Sequence, residues 1–276
     1  MNILLIANKG KLQFAVEKQL NNRNNVILYL VNKELGLYDL HEGFRKLFFL
    51  HKVDLIIYIS GETRDENNMM LLNYLFPKVI LLLCQSKFIP FIYLSSLSVF
   101  GIPSLNKITE TSERNSIDHY SATKNLFDIF AKKNCINSSI VSILPGSIIN
   151  FKSKNDITSK LIKLSSSFPL RMFLRRIHPR GNIACIDIND LTKAISVEAN
   201  ILETKNPKIT FRSKICTVNL SISEILKVIL KRKRSFLIPN IGFLKSSFFS
   251  LITNKIYFKK LILFFNNLEY VSSYKL

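Results

Sequence analysis

Tyr120 and Lys124 are one helical turn apart, so a helix running through them carries both side chains on one face. An ammonium beside a phenol lowers the phenol's pKa. With a serine hydroxyl close by, such a tyrosine can pass a proton to or from a substrate oxygen. The apolar run Phe91-Ile92-Tyr93-Leu94 leads into Ser95-Ser96-Leu97-Ser98-Val99-Phe100-Gly101 and offers that hydroxyl. This is machinery for alcohol–ketone chemistry. The same spacing recurs at Tyr29/Lys33 and Tyr74/Lys78, so context has to choose among the three. Only Tyr120/Lys124 is preceded by a strand ending in a small, serine-rich turn, which is where a parallel α/β sheet exposes reactive groups. The other two pairs read as surface or packing residues.

The elements that must position these residues alternate in type. Ile3–Ala7, Val26–Val31, Leu55–Ile59, Phe91–Leu94 and Ile140–Leu144 read as buried strands. Between them, Gln13–Leu20, Leu40–Leu50 and Met69–Gln85 have helical periodicity. Such alternation predicts parallel strands joined by right-handed helical crossovers, an α/β doubly wound sheet of Rossmann type. Composition shifts after Pro145-Gly146, giving an expected boundary between a dinucleotide-binding domain at 1–148 and a smaller substrate domain at 149–276. The later part offers one strand-like run, Ile183–Ile188, a candidate to return to the sheet. Helices are expected from Asp190 and from Ser221, where Ser221-Ile222-Ser223-Glu224 reads as a capping box.

Charge and composition set bounds. The 276 residues include 39 Lys+Arg against 19 Asp+Glu, a formal net charge of +20 that favours anionic partners. Nucleic acid is not expected, because the lysines are scattered among asparagine, isoleucine and phenylalanine and no nucleic-acid motif accompanies them. Lys231-Arg232-Lys233-Arg234 reads as a solvated helix end, and would suit a phosphorylated small molecule or an anionic membrane equally well. Cys84, Cys135, Cys185 and Cys216 are far apart, and His41, His51, His119 and His178 have no ligand spacing, so neither a disulfide framework nor a metal site is expected. The N-terminal Met1-Asn2-Ile3-Leu4-Leu5-Ile6-Ala7 has no basic lead and too short an apolar run for a signal peptide, which predicts a cytoplasmic protein. Lys245, Lys255, Lys259 and Lys260 interrupt the apolar C-terminal region, so no transmembrane span is expected there. Phe236–Phe265 reads either as a lid on the substrate domain or as a peripheral membrane contact.

With the strand order, the Ser-Ser-x-x-Val-Phe-Gly turn and Tyr120/Lys124 assembled, the chain resembles the extended short-chain dehydrogenases/reductases of the NAD-dependent epimerase/dehydratase family. The resemblance covers nearly its whole length. The family's catalytic serine or threonine, four residues before the aromatic of its V-Y/F-G turn, falls on Ser96. Val53–Gly61 is similar to the family's fourth strand and following turn, Asn73 to its next-helix asparagine, and Ile186–Leu191 to its V-x-D-L segment; Ser221–Ile225 resembles the helix beyond. Leu161-Ile162-Lys163, Phe168-Pro169-Leu170 and Arg180 are similar to nucleotide-sugar 4-epimerases and 4-ketoreductases of bacterial surface-polysaccharide pathways. The resemblance implies that Tyr120 is general acid/base at the sugar's C4 oxygen, that Ser96 hydrogen-bonds that oxygen, and that Lys124 holds the nicotinamide ribose and tunes Tyr120. Dehydratases add an acid–base pair after the serine, but Leu97-Ser98 carries none, so dehydration ranks below epimerisation and ketoreduction.

The resemblance further implies an NAD or NADP site formed by Ala7, Lys9, Gly10, Leu12, Asn32, Lys33, Asp39, Ser60, Gly61, Asn73, Tyr120, Lys124 and Pro145. The family's G-x-x-G-x-x-G loop reads here Ala7-Asn8-Lys9-Gly10-Lys11-Leu12-Gln13, keeping only the middle glycine. Gln13 is expected to crowd the pyrophosphate. Leu144 stands where an arginine is common, and Ile149-Asn150 replaces the usual Tyr-Gly. With Asn32, Lys33 and Lys9 where NAD-preferring members carry an acid, NADP is expected over NAD, unless Lys9 and Lys11 are merely solvated loop charges. A non-catalytic dinucleotide-binding or regulatory protein of the same fold is the alternative, and a homodimer is left open.

Overall fold

The computed structural model describes residues 1–101, 107–149, 182–204, 209–221 and 269–274. Its centre is a six-stranded parallel sheet of β1 (Asn2–Ala7), β2 (Asn25–Leu30), β3 (Leu55–Tyr58), β4 (Phe91–Leu94), β6 (Ile140–Pro145) and β9 (Phe211–Cys216), in the order β2-β1-β3-β4-β6-β9. All of these strands but β9 are short apolar runs, because helices cover both faces of the sheet. Alternate residues serve opposite layers: Leu4 and Ile6 of β1 join Ile56, Tyr58, Phe91 and Tyr93 on one face, while Ile3, Leu5 and Ala7 join Ile57, Ile92 and Val141 on the other. Against the first face lie α2 (Leu37–Leu50), α3 (Glu66–Met70), α4 (Phe76–Ser86) and α5 (His119–Lys133), with Phe44, Phe76 and Phe127 from the helices and Leu72 from the segment joining α3 to α4. Against the second lie α1 (Lys11–Leu20) and α6 (Ile188–Thr204), contributing Val16, Leu20, Leu191 and Ile195. Each such fully buried Leu, Ile or Phe stabilises the fold by about 1.5–3 kcal/mol.

Between α3 and α4 the helix widens into a π turn, Leu71–Leu75. Phe76 N–H reaches back to the Leu71 carbonyl, and Pro77 has no N–H to give, so the Leu72 and Asn73 carbonyls lose helical donors. Two core tyrosines from the sheet replace them. Tyr58 Oη donates to Leu72 O at 2.6 Å and Tyr93 Oη to Asn73 O at 2.8 Å, the two rings stacking 5.8 Å apart. By length and composition Glu66–Ser86 is apolar enough to cross a membrane, but half of its apolar window is buried, and Met69, Leu72, Phe76, Ile80 and Leu81 lie in the core.

The expected elements from Ile3 to Leu144 are all present within a few residues. The strand expected at 183–188 is β8 (Asn182–Asp187), but it does not return to the main sheet. It runs parallel to β7 (Ser147–Ile149) and antiparallel to β10 (Val218–Ser221) in a separate three-stranded sheet. The main sheet's place beside β6 is taken by β9, in register from Ile140↔Phe211 to Pro145↔Cys216. Gly146 lets the chain turn from one sheet to the other, since a Cβ there would lie 2.5 Å from Thr217 Oγ1 and 2.8 Å from Ala184 backbone. The main sheet and its helices thus draw on residues on both sides of the expected 148/149 boundary. A two-stranded pair, β5 (Lys107–Ile108) with β11 (Glu269–Tyr270), lies beside β10. Asn150, Leu161–Lys163, Phe168–Leu170, His178, Arg180, the Glu224 end of the capping box, Lys231–Arg234 and Phe236–Phe265 lie outside the described residues.

Candidate active site

A cavity of about 900 Å³ opens at the C-terminal ends of β1, β3, β4 and β6, the edge where a parallel sheet gathers loops and helix N-termini. Its walls are Asn8–Gln13, Ile59–Gly61, Leu94–Ser98, Tyr120, Lys124, Pro145–Ile148, Asn182–Ala184 and Tyr270.

The three catalytic candidates meet on this wall. β4 ends at Leu94, and Ser96 caps the 3-10 turn Leu97–Phe100, its Oγ accepting from Ser98 N at 3.2 Å and from Ser98 Oγ at 3.0 Å. Gly101 ends that turn at φ 62°, where a Cβ would fall 1.5 Å from Asn115 O. Asp118 then caps α5, accepting from Ser121 N–H at 2.7 Å in a reciprocal capping box, which sets Tyr120 and Lys124 on the first turns of α5. The Tyr120 phenol lies beside Ser96 on this wall. Burial raises the Tyr120 pKa, Ser96 pulling it down and Asp118 adding to the rise. The expected lowering by Lys124 is therefore not what this structure shows. Lys124 is buried with its Nζ donating to Leu94 O at 2.9 Å and lying 4.5 Å from the centre of the Tyr93 ring. Burial brings the ammonium down to about 7, against the opposing charge of Asp128, so Lys124 itself is only partly charged near neutrality.

Beneath this wall is a buried polar cluster that the sequence did not disclose. Asp128, one turn beyond Lys124, accepts from Ser95 Oγ at 2.7 Å, Ser142 Oγ at 2.6 Å and Arg114 Nη1, and Arg114 Nη2 donates to Ser213 Oγ on β9 at 2.9 Å. The i, i+4 relation of Asp128 to Lys124 was the available signal. Leu144, where an arginine was the expected type, is fully buried with Leu97, Val99, Phe100 and Ile215. The rival pairs stay apart from this site: Tyr29 donates to Leu40 O at 2.9 Å, and Lys78 sits over the Tyr74 and Phe130 rings.

The cofactor candidates divide into three groups. Lys9, Gly10, Leu12, Ser60, Gly61, Tyr120, Lys124 and Pro145 line the cavity. A Cβ at Gly10 would meet nothing within 4 Å, no side chain caps α1, and its first turn holds no acid. Free space over an uncapped helix N-terminus fits a pyrophosphate. Gln13 also lines the cavity, but its amide is taken by Glu17 Oε2 at 2.5 Å, one turn further from the helix start, so the expected crowding is reduced. Ala7 and Asn73 act from behind. Ala7 is fully buried at the end of β1, and Asn73 clamps the turn after β3, accepting from Glu62 N at 3.0 Å and donating to Glu62 O at 2.9 Å. Gly61 leaves room for that clamp, since a Cβ would lie 2.9 Å from Asn73 Oδ1 and 3.1 Å from Lys124 Nζ. Asn8, not foreseen, fixes the same turn through Gly61 O and Ser60 Oγ, both at 2.6 Å. Asn32, Lys33 and Asp39 do not line the cavity: Asn32 accepts Glu34 N–H, Lys33 pairs with Glu62, and Asp39 is exposed in the first turn of α2. Among the described residues no group of His, Cys, Asp and Glu is arranged to hold a metal ion.

No protein-family model matches the sequence, and no curated protein matches it. Solved structures do. The UDP-Glc/GlcNAc 4-epimerase from Campylobacter jejuni superimposes with a TM-score of 0.63 at 14% identity, covering 86% of each chain. The Bordetella bronchiseptica enzyme WbmH in complex with NAD+ gives 0.63 at 10% identity over 86% of this chain and 85% of that one. A dTDP-4-dehydrorhamnose reductase from Bacillus anthracis in complex with NADP gives 0.61 at 15% identity, over 88% and 85%. The parallel six-stranded sheet, its helical layers and these superpositions together give the chain the fold of the extended short-chain dehydrogenases/reductases.

Proposed function

We propose that this protein is an NAD(P)-dependent nucleotide-sugar epimerase or 4-ketoreductase acting at the sugar's C4, in the cytoplasm and in the synthesis of surface polysaccharide. The observation that carries this reading is the meeting of Ser96, Tyr120 and the buried Lys124 on the wall of one cavity, with the open N-terminus of α1 across from them. The solved neighbours support it by their names.

Lys9, Gly10 and the first turn of α1 would hold the pyrophosphate, and Lys124, Gly61 and Pro145 the nicotinamide end. Bound there, the cofactor supplies or takes up hydride at the substrate carbon. Ser96 donates a hydrogen bond to the substrate's C4 oxygen, and Tyr120 Oη gives it a proton or removes one. A raised phenol pKa keeps the Tyr120 proton in place at neutral pH, which suits the reducing direction, where the oxygen must gain a proton. The sugar would lie against Asn182–Ala184 and Tyr270, from the segment read as the substrate domain, and against Gly146–Ile148 just before it.

The test is to incubate the purified protein with each oxidised and reduced cofactor and a panel of 4-hydroxy and 4-keto nucleotide-sugars, following nicotinamide absorbance and product by NMR. Turnover of a sugar at C4 supports the proposal. Dinucleotide binding without turnover of any sugar would leave the second reading, a non-catalytic binding protein, which the single-glycine loop favours.

A further inference from the structure

One ion pair ties the end of β2 to the turn after β3, across the C-terminal end of β1 that lies between them. Lys33, three residues past β2, places its Nζ against Glu62 Oε2. The two partners are held very differently. The Glu62 backbone is clamped by Asn73 on both its N–H and its carbonyl. Its carboxylate accepts from Thr63 N at 2.7 Å and Arg64 N at 2.9 Å through Oε1, and its side chain is 9% exposed. The Lys33 side chain is 43% exposed and, among the described residues, has only this pairing to direct it. Glu62 is thus the fixed member and Lys33 the captured one.

The end of the second strand is where a doubly wound fold distinguishes a 2′-hydroxyl from a 2′-phosphate on the cofactor's adenosine ribose. A lysine there recruits a phosphate only when its charge is available. Here the charge is already answered by a carboxylate, and a 2′-phosphate would have to break the pair while enduring repulsion from Glu62. Burial tends to raise the Glu62 pKa, but the hydrogen bonds from Lys33, Arg64 and Thr63 bring it down to about 2. Lys33 is therefore not released by protonation of its partner anywhere near neutral pH. Arg64, Lys9 and Glu34 are exposed charges on the neighbouring turns, and none of them takes part in this pairing.

We infer that Glu62 sets the choice between NAD and NADP in this chain, by holding the Lys33 ammonium away from a 2′-phosphate, so that the lysine at the end of β2 confers no preference for NADP. The inference rests on the dinucleotide reading above.

Calorimetric titration of NAD+ and NADP+ into the wild type, Glu62→Gln, Lys33→Met and the double variant tests it. Glutamine keeps an acceptor oxygen for the Thr63 and Arg64 amides, so the turn is retained. The wild type is expected to bind NADP+ no more tightly than NAD+. Glu62→Gln should tighten NADP+ by about tenfold with NAD+ changed by less than about threefold, and the double variant should lose that gain. Lys33→Met alone, on an exposed side chain that does not threaten folding, bares the Glu62 carboxylate and should move the ratio of the two affinities toward NAD+. A wild type that binds NADP+ tenfold more tightly than NAD+, or an unmoved ratio in a Glu62→Gln protein that binds both, overturns the inference and leaves the dinucleotide reading standing. A wild type that binds neither overturns both.

Discussion

The two ends of the cavity are built on opposite plans. At the β4–α5 end the polar groups are engaged by the protein: Lys124 on Leu94 O, Ser96 with Ser98, and Asp128 on two serines and an arginine. At the β1–α1 end the helix start has no side-chain cap, and Gly10 faces open space. The first end is fixed before anything binds, while the second leaves its donors for a ligand to satisfy. Substitutions at the first should therefore be felt in catalysis or stability, and substitutions at the second in cofactor affinity.

The largest expected effect is at the first end. Tyr120→Phe removes only the transferable proton and should lower turnover by about 10²–10⁴-fold with melting temperature and cofactor affinity little changed. Tyr29→Phe and Tyr74→Phe are the controls, and steady-state rates for both should match the wild type. Equal activity of Tyr120→Phe and wild type would erase the distinction between the two ends.

Next is the pH dependence of Lys124. In the unfolded chain a lysine keeps its proton up to about pH 10.4, whereas in the fold it loses it near 7. Between those values the unfolded state binds more protons, so the wild type gains stability as pH rises; below about 7 both states are protonated and the full cost of burying the charge is present. Lys124→Met carries no such cost. Its melting temperature should exceed the wild type's most at pH 6, by an amount on the order of a few kcal/mol in stability, and the gap should close toward pH 10. A gap that widens with pH would show that Lys124 is held as a stabilising cation instead.

A matched glycine pair puts the contrast in one experiment. Gly61→Ala drives a methyl against Asn73 Oδ1 and Lys124 Nζ and should cost about 1–3 kcal/mol in denaturant unfolding. Gly10→Ala meets no protein atom, so stability should hold while NAD(P) affinity falls in the same titrations. The smallest effect is at Gln13. With its amide bound to Glu17, Gln13→Gly should lower stability by up to about 1 kcal/mol and tighten cofactor only slightly. A large gain in affinity would mean that the glutamine obstructs the phosphate after all.

Five of the six strands of the main sheet were legible because each is a run of apolar residues, four of them buried along most of their length. β9 was not: Phe211-Arg212-Ser213-Lys214 carries charge, which the fold absorbs by pairing Arg212 with Glu198. Ser96, Tyr120 and Lys124 were legible from spacing and context. Their pKa relations were not, since these depend on burial and on the charges of Asp118 and Asp128, which spacing does not encode. Lys33 was read as a lysine suited to a 2′-phosphate, and its pairing with Glu62 was not legible because that partner is 29 residues away in another turn. Arg114 escaped notice for the same reason, acting through Asp128 and Ser213.

The π turn couples positions that share no stretch of sequence. Because Pro77 withholds a donor and the turn shifts the bonding register, the tyrosine hydroxyls at 58 and 93 are obligatory, and a phenylalanine at either would strand a buried carbonyl. A residue other than proline at 77 would return one N–H to the helix, enough for one of the two carbonyls. Pro77 should therefore drift with one of the two tyrosines, and the other stay fixed. A lineage can exchange that one core tyrosine for phenylalanine only after changing Pro77, and in doing so it would reset the register that fixes Asn73 against the turn of Glu62.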